Sequence, residues 1–171
     1  MSFRLERLRA DHPVAPFSSG DRPGSIEIDA FLRERAWLEQ QQGWSATTLA
    51  IDPAAGEERA IVGFYTLSPL VLRVDPGVLR LVAPERVYPH IGGYLLGRLG
   101  VARHWQSRGL GALLVERAID AACIARQTSG GAFLAVDPKN ASLCAWYERL
   151  GYGFARLAPE RWRLVMRLPP G

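Results

Sequence analysis

Residues 96–122, LGRLGVARHWQSRGLGALLVERAIDAA, decide the fold. The stretch begins as the end of an apolar strand and passes through a basic, glycine-rich loop. From there Leu110, Leu113, Leu114, Ala118, Ala121 and Ala122, with Ala125 beyond, recur at helical spacing. Glycines at 109 and 111 permit tight backbone geometry and clear side chains from the concave side. Successive N–H groups at the helix start can therefore point at an anion, and the loop suits a pyrophosphate. It is not a Walker loop, because no Gly-Lys-Ser/Thr follows. It is not a dinucleotide fingerprint either, because Leu114 stands where the third glycine would be. Taken alone, the seven residues QSRGLGA also fit a plain strand-to-helix turn.

Outward from this loop, Pro/Gly punctuation divides the chain into short elements. Upstream, SIEIDAFLRERAWLEQQQG places Ile28, Phe31, Leu32 and Ala36 on one helical face, with Gly43 as a stop. ATTLAID and AIVGFYTLSPLVL read as strands separated by the turn-like PAAGEE, and YLLGRLGVA as the next strand. Prolines 76, 84 and 89 argue for loops around the apolar run VLRLV. Downstream, GAFLAV is a short buried strand, and DPKN ends it in a turn. Asn140 can cap a helix carrying Leu143, Trp146, Tyr147 and Leu150, closed by Gly151, and RWRLVMRL alternates as a final strand. The plan is α/β with a mixed sheet.

The length, 171 residues, suits one domain spanning 1–171. No apolar run approaches the ~18 residues of a membrane span, and the start MSFRLERLRADHPV lacks the apolar core of a secretory signal. A cytoplasmic location with no membrane partner is expected. Cys123 and Cys144 sit in helix-like apolar surroundings and read as buried thiols. His12, His90 and His104 show no ligand spacing, so no metal site is expected. The net charge of +4 comes from 21 basic residues of which only Lys139 is a lysine. Arginine binds phosphate bidentately, so the surplus fits a nucleotide or RNA partner, although a general codon bias toward arginine gives the same excess.

The pattern Gln/Arg-x-x-Gly-x-Gly/Ala, after a strand and opening a helix, resembles the acetyl-CoA loop of the GCN5-related N-acetyltransferases, the GNAT family. VDPKNASLCAWYERLGY, residues 136–152, resembles the family's second signature: an Asn at a helix start, an aromatic-Tyr pair, then Gly-aromatic. DHPVAPFSSG, IDAFLRERA, IVGFYTLSP and LLGRLGVARHWQSRGLG are together similar to a branch of bacterial toxins that pair with ribbon-helix-helix antitoxins and acetylate the amino group of aminoacyl-tRNA. This likeness runs from about His12 to the C-terminal strand. The chain departs from the pattern in SSGDRPGSIEIDAF, which is longer than the usual link from glycine to helix. It departs again in the more elaborate central segment VLRVDPGVLRLVAPERVYPHIG. Both shape the acceptor side.

The resemblance implies the GNAT fold, a mixed and partly splayed central β-sheet flanked by helices, with acetyl-CoA as co-substrate. Gln106, Ser107, Arg108, Gly109, Leu110, Gly111 and Ala112 would hold the pyrophosphate. The splayed strand at Leu99, Gly100 and Val101 would bond the pantetheine and offer an N–H to the developing oxyanion. Asn140 would bond the cofactor, with helix capping as the rival reading. Tyr147 resembles the family's catalytic tyrosine, which donates a proton to the leaving sulfur; packing between Leu143 and Leu150 is the rival. Trp146 reads as core or acceptor-pocket wall. Arg98, Arg103 and Arg108 are candidates for phosphates, and no residue stands out as a general base, His104 and Glu148 included. The expected acceptor is a primary amine, that of aminoacyl-tRNA first, with a small-molecule amine or a protein N-terminus as alternatives. A non-catalytic module binding CoA or a partner is the remaining class. Expected partners are acetyl-CoA, aminoacyl-tRNA, a ribbon-helix-helix antitoxin and a second copy of the chain.

Overall fold

In chain order the elements are β1 (Arg4–Arg7), α1 (Pro23–Ala30), a π-helical turn (Phe31–Arg35), α2 (Ala36–Gln41), β2 (Ala46–Ile51), β3 (Ile61–Arg73) and β4 (His90–Val101). A 3-10 turn (Arg103–Trp105) follows, then α3 (Leu110–Ser129), β5 (Phe133–Val136), α4 (Ala141–Arg149), β6 (Ala155–Arg156) and β7 (Leu164–Arg167). The structure is a computed structural model that describes residues 3–56, 60–73, 75–77, 80, 84–85, 88–157 and 162–170. The strands form one seven-stranded sheet in the order β1-β2-β3-β4-β5-β7-β6. Only the β4–β5 pairing is parallel among the registers described, and α3 is the crossover that such a pairing requires. All four residues of β5 are buried, as a strand covered on both faces demands. The ladder between β4 and β5 ends at Leu96 and Val136, although β4 itself continues to Val101. This is the mixed α/β sheet that the sequence predicts.

The chain divides into two compact units, Met1–Ser68 with Arg98–Ala118, and Pro69–Gly97 with Ile119–Gly171. The first has a core of Leu8, Phe17, Phe31, Leu32, Ala36, Leu49, Ile51, Ile61, Phe64 and Ala102. Phe64 sits at its centre, edge-on to Phe17 at 5.4 Å and stacked on Phe31 at 6.5 Å. Gly100 lies so close beneath that a Cβ there would meet the Phe64 ring at 2.6 Å and Ile28 at 2.8 Å. The Gln40 carboxamide ties α2 to the sheet, donating to the Leu8 carbonyl at 2.7 Å and accepting from the Thr47 N–H at 3.1 Å. The second unit packs Leu72, Ile91, Phe133, Ala135 and Val165. Burying a side chain of this size contributes about 1.5–3 kcal/mol each before entropy is counted.

Several sequence expectations need correction. The helix read across residues 25–43 is interrupted: the Ala36 N–H bonds the Phe31 carbonyl five residues back, which makes a π turn. Asp29, on α1 just before this turn, is buried at 4% exposure. Strand β1 was not expected, because its sequence RLER offers no apolar alternation and its residues are mostly exposed. Leu143, expected on the apolar face of α4, is 41% exposed, and Cys144 takes the buried position with Tyr147. Cys144 is buried and Cys123 half-buried, and neither is in a disulfide. The apolar run at 78–82 lies outside the described residues apart from Arg80. Among the described residues no helix is long and apolar enough to cross a membrane.

Candidate functional site

In the first unit, β4 ends at Val101, and the 3-10 turn is pinned by Trp105, which is 9% exposed and whose N–H bonds the Ala102 carbonyl at 2.8 Å. The loop then turns through two left-handed residues, Ser107 at φ 60° and Gly109 at φ 82°. A glycine adopts this conformation freely, whereas the serine is held in it. Leu110 is 1% exposed and plugs the start of α3 into the core. The helical ladder opens with the Leu113 N–H on the Gly109 carbonyl at 3.2 Å. The N–H groups of Leu110, Gly111 and Ala112 therefore have no acceptor in their own helix. A Cβ built at Gly109 would meet nothing within 4 Å, so this side of the loop is open. Three amides without an acceptor among the described residues, at the positive end of a 20-residue helix, fit a pyrophosphate by charge and by hydrogen-bond count.

The loop is fastened to residues 18–21. The Arg103 N–H donates to the Ser18 carbonyl at 2.9 Å, the Arg103 guanidinium to Asp21 at 2.6 Å, and the Gln106 carboxamide nitrogen to the Ser19 carbonyl at 2.6 Å and the Val101 carbonyl at 3.0 Å. Ser19 is gripped from its other side by Asp29, which accepts its N–H at 2.9 and 3.1 Å and its hydroxyl at 2.6 Å. A cleft of about 460 Å³ opens here, lined by Ser19, Gly20, Asp21, Arg22, Ser25, Arg103 and Gln106. Of the arginines proposed for phosphate, Arg103 is paired with Asp21. Arg98 lies 5.1 Å over the Phe31 ring and Arg108 5.9 Å over Trp105. Stacking occupies the face of a guanidinium, so at Arg108 the edge stays available for phosphate oxygens. Sequence reading missed Ser19 and Asp29. Asp29 shares a helical face with Leu32 and Ala36, but an isolated acid on an apolar face does not announce its partner in the sequence.

In the second unit, Asn140 caps α4, its Oδ1 accepting the Leu143 N–H at 2.9 Å. Its capping role is thus accounted for. Tyr147 is 8% exposed, edge-on to Trp146 at 4.8 Å and to Phe154 at 5.6 Å. Burial pushes its phenol well above the ordinary value. No described residue hydrogen-bonds its hydroxyl, so packing holds the ring while the proton stays uncommitted among the described residues. Glu148 is exposed and lies 3.6 Å from Arg156, and His104 is exposed on the 3-10 turn. Among the described residues no group of His, Cys, Asp or Glu could hold a metal ion.

The chain belongs to the acetyltransferase (GNAT) family, whose model matches residues 18–152. It is accordingly an acetyltransferase that draws on acetyl-CoA. Among its relatives is the tRNA-acetylating toxin of Mycobacterium tuberculosis, 32% identical over 163 residues that cover 94% of this chain and 90% of that protein. Similar solved structures include AtaT complexed with acetyl-methionyl-tRNAfMet, with a TM-score of 0.82 at 23% identity over 97% of this chain and 95% of that one. They also include a mutant AtaT toxin bound to the C-terminus of the antitoxin AtaR and acetyl-CoA, with a TM-score of 0.76 at 24% identity over 97% and 93% of the two chains. These two likenesses are of fold.

Proposed function

We propose that this protein transfers the acetyl group of acetyl-CoA to the α-amino group of an aminoacyl-tRNA, and that its activity is held in check by an antitoxin of the ribbon-helix-helix class. The observation that carries the acceptor is the near full-length similarity to a tRNA-acetylating toxin. The arginine-dominated surplus of +4 supports it, because counter-ion release on phosphate contact favours such a surface. For the antitoxin, the support is the similar toxin fold bound to the C-terminus of AtaR.

Bound acetyl-CoA supplies the acyl group already activated as a thioester. The amides of Leu110, Gly111 and Ala112 bind the pyrophosphate, with Ser107, Arg108 and Gly109 shaping the approach. Leu99, Gly100 and Val101, beyond the end of the parallel ladder, offer backbone groups to the pantetheine and an N–H to the oxyanion. Burial keeps the Tyr147 phenol protonated in the neutral and mildly alkaline range where the acceptor amine becomes free. An alkyl thiol ionises near pH 8.5, far below this buried phenol, so complete proton transfer from Tyr147 to sulfur is uphill. The phenol instead stabilises the leaving thiolate as a hydrogen-bond donor, and the net proton departs from the attacking amine. An α-amino group ionises near 8, and esterification lowers that value, so water suffices as its base. Glu148 and His104 are not needed for that step.

The test is to supply labelled acetyl-CoA with bulk charged tRNA, with deacylated tRNA, and with a panel of polyamines, amino acids and peptides. The proposal expects label in charged tRNA alone, released when the aminoacyl ester is hydrolysed. Label confined to a small amine or peptide overturns the tRNA acceptor and leaves a metabolic or protein acetyltransferase.

A further inference from the structure

Gln106 opens the glycine-rich loop, yet its side chain is placed to brace the loop rather than to meet an anion. A glutamine carboxamide has two N–H donors and one carbonyl acceptor. Here both donors are committed, to the Ser19 carbonyl at 2.6 Å and the Val101 carbonyl at 3.0 Å. The opposite amide orientation would face an oxygen toward two carbonyl oxygens, so the geometry admits only this one. Among the described residues Oε1 accepts no hydrogen bond, and as an acceptor it repels phosphate oxygens. Ser19 in turn is 7% exposed and holds three hydrogen bonds to Asp29, itself 4% exposed and shielded from any ligand. An unbroken chain of contacts therefore runs from Asp29 on α1, through Ser19 and Gln106, to Val101 at the end of β4. The neighbouring Arg103 N–H adds its bond to the Ser18 carbonyl at 2.9 Å.

We propose that Gln106 and Asp29 are positioning residues of the acetyltransferase: acting through Ser19, they clamp residues 18–21 against the end of β4 and hold the amides at the start of α3 ready for the donor. The inference rests on the acetyl-CoA site described above, but its primary test needs no acetyl-CoA. Amide hydrogen exchange is measured in the ligand-free protein for wild type, Gln106→Ala, Gln106→Arg and Asp29→Asn. Calorimetry with acetyl-CoA and steady-state kinetics run alongside.

Gln106→Ala removes the bond to the Ser19 carbonyl, so residues 18–21 should open more often from the end of β4. The Ser19 and Arg103 amides, bonded to Asp29 and the Ser18 carbonyl, should then exchange about tenfold faster, the effect of about one net hydrogen bond. The KM for acetyl-CoA should rise by about the same factor while kcat at saturation holds. Gln106→Arg, which keeps donors for both carbonyls, should restore protection. Asp29→Asn should reproduce the exchange signature; if it fails to fold, the two Gln106 variants decide. Unchanged exchange in Gln106→Ala, whether or not acetyl-CoA affinity falls, overturns the proposal, and an isolated fall in affinity makes Gln106 a direct ligand instead. Wild-type protein that binds no acetyl-CoA would count against the donor site and leave the exchange result standing.

Discussion

The loop around residues 99–112 and the helix around Tyr147 solve different problems with different parts of the chain. The loop is exposed over residues 106–109 and offers mainly backbone: unpaired amides, left-handed turns and polar stitches to residues 18–21. Tyr147 is one buried side chain among aromatic rings, with its hydroxyl as the single polar group. A backbone site is spoiled by adding atoms, whereas a side-chain site is spoiled by removing one. Substitutions can therefore tell the two apart.

The largest effect is expected where a single atom is removed. Tyr147→Phe keeps the ring between Trp146 and Phe154 but deletes the hydrogen-bond donor, so turnover should fall by about 10²–10³ while melting temperature and acetyl-CoA affinity barely move. A loss of stability with turnover per folded molecule unchanged would make Tyr147 a packing residue only. The raised phenol also fixes a sign. The folded state keeps its proton while the unfolded chain loses it near pH 10, so this contribution to stability is complete below about pH 10 and is lost as pH rises toward the folded value. An alkaline limb of activity that titrates below pH 10 cannot belong to this phenol.

A smaller effect follows where atoms are added beneath the loop. Gly100→Ala drives a Cβ into Phe64 and Ile28, and overpacking of this kind costs about 1–3 kcal/mol, visible as a drop of several degrees in thermal melting. The smallest belongs to a surface pair. Arg163 bonds Asp137 through two contacts of 2.6 Å, but the side chains are 30% and 47% exposed, so Arg163→Ala should cost under about 1 kcal/mol in denaturant titration.

The same contrast explains what could be read from sequence. The glycine loop, the helix with Leu110, Leu114, Ala118 and Ala122 buried at four-residue spacing, and the Asn140 cap all depend on local geometry, and local geometry leaves periodic or turn-forming residues in the chain. The clamp does not. Asp29 and Gln106 reach Ser19 from 10 residues and 87 residues away, and no spacing announces such a meeting. The π turn was equally hidden, since it adds a residue to the helix without changing composition or the apolar face of Phe31, Leu32 and Ala36. Tyr147 could be named from its motif, but its burial against Phe154, and hence its raised phenol, needed the fold.

The amides at the start of α3 are the proposed seat of the pyrophosphate, and calorimetric titration of acetyl-CoA into Gly111→Asp tests them most directly. An acid in the first turn favours the helix itself, so the variant should fold and melt like wild type. The added carboxylate would stand where the pyrophosphate must approach, and like-charge contact of that kind costs several kcal/mol, enough to weaken binding roughly a hundredfold or more. A folded Gly111→Asp protein that binds acetyl-CoA with undiminished affinity would contradict the donor site and every role derived from it.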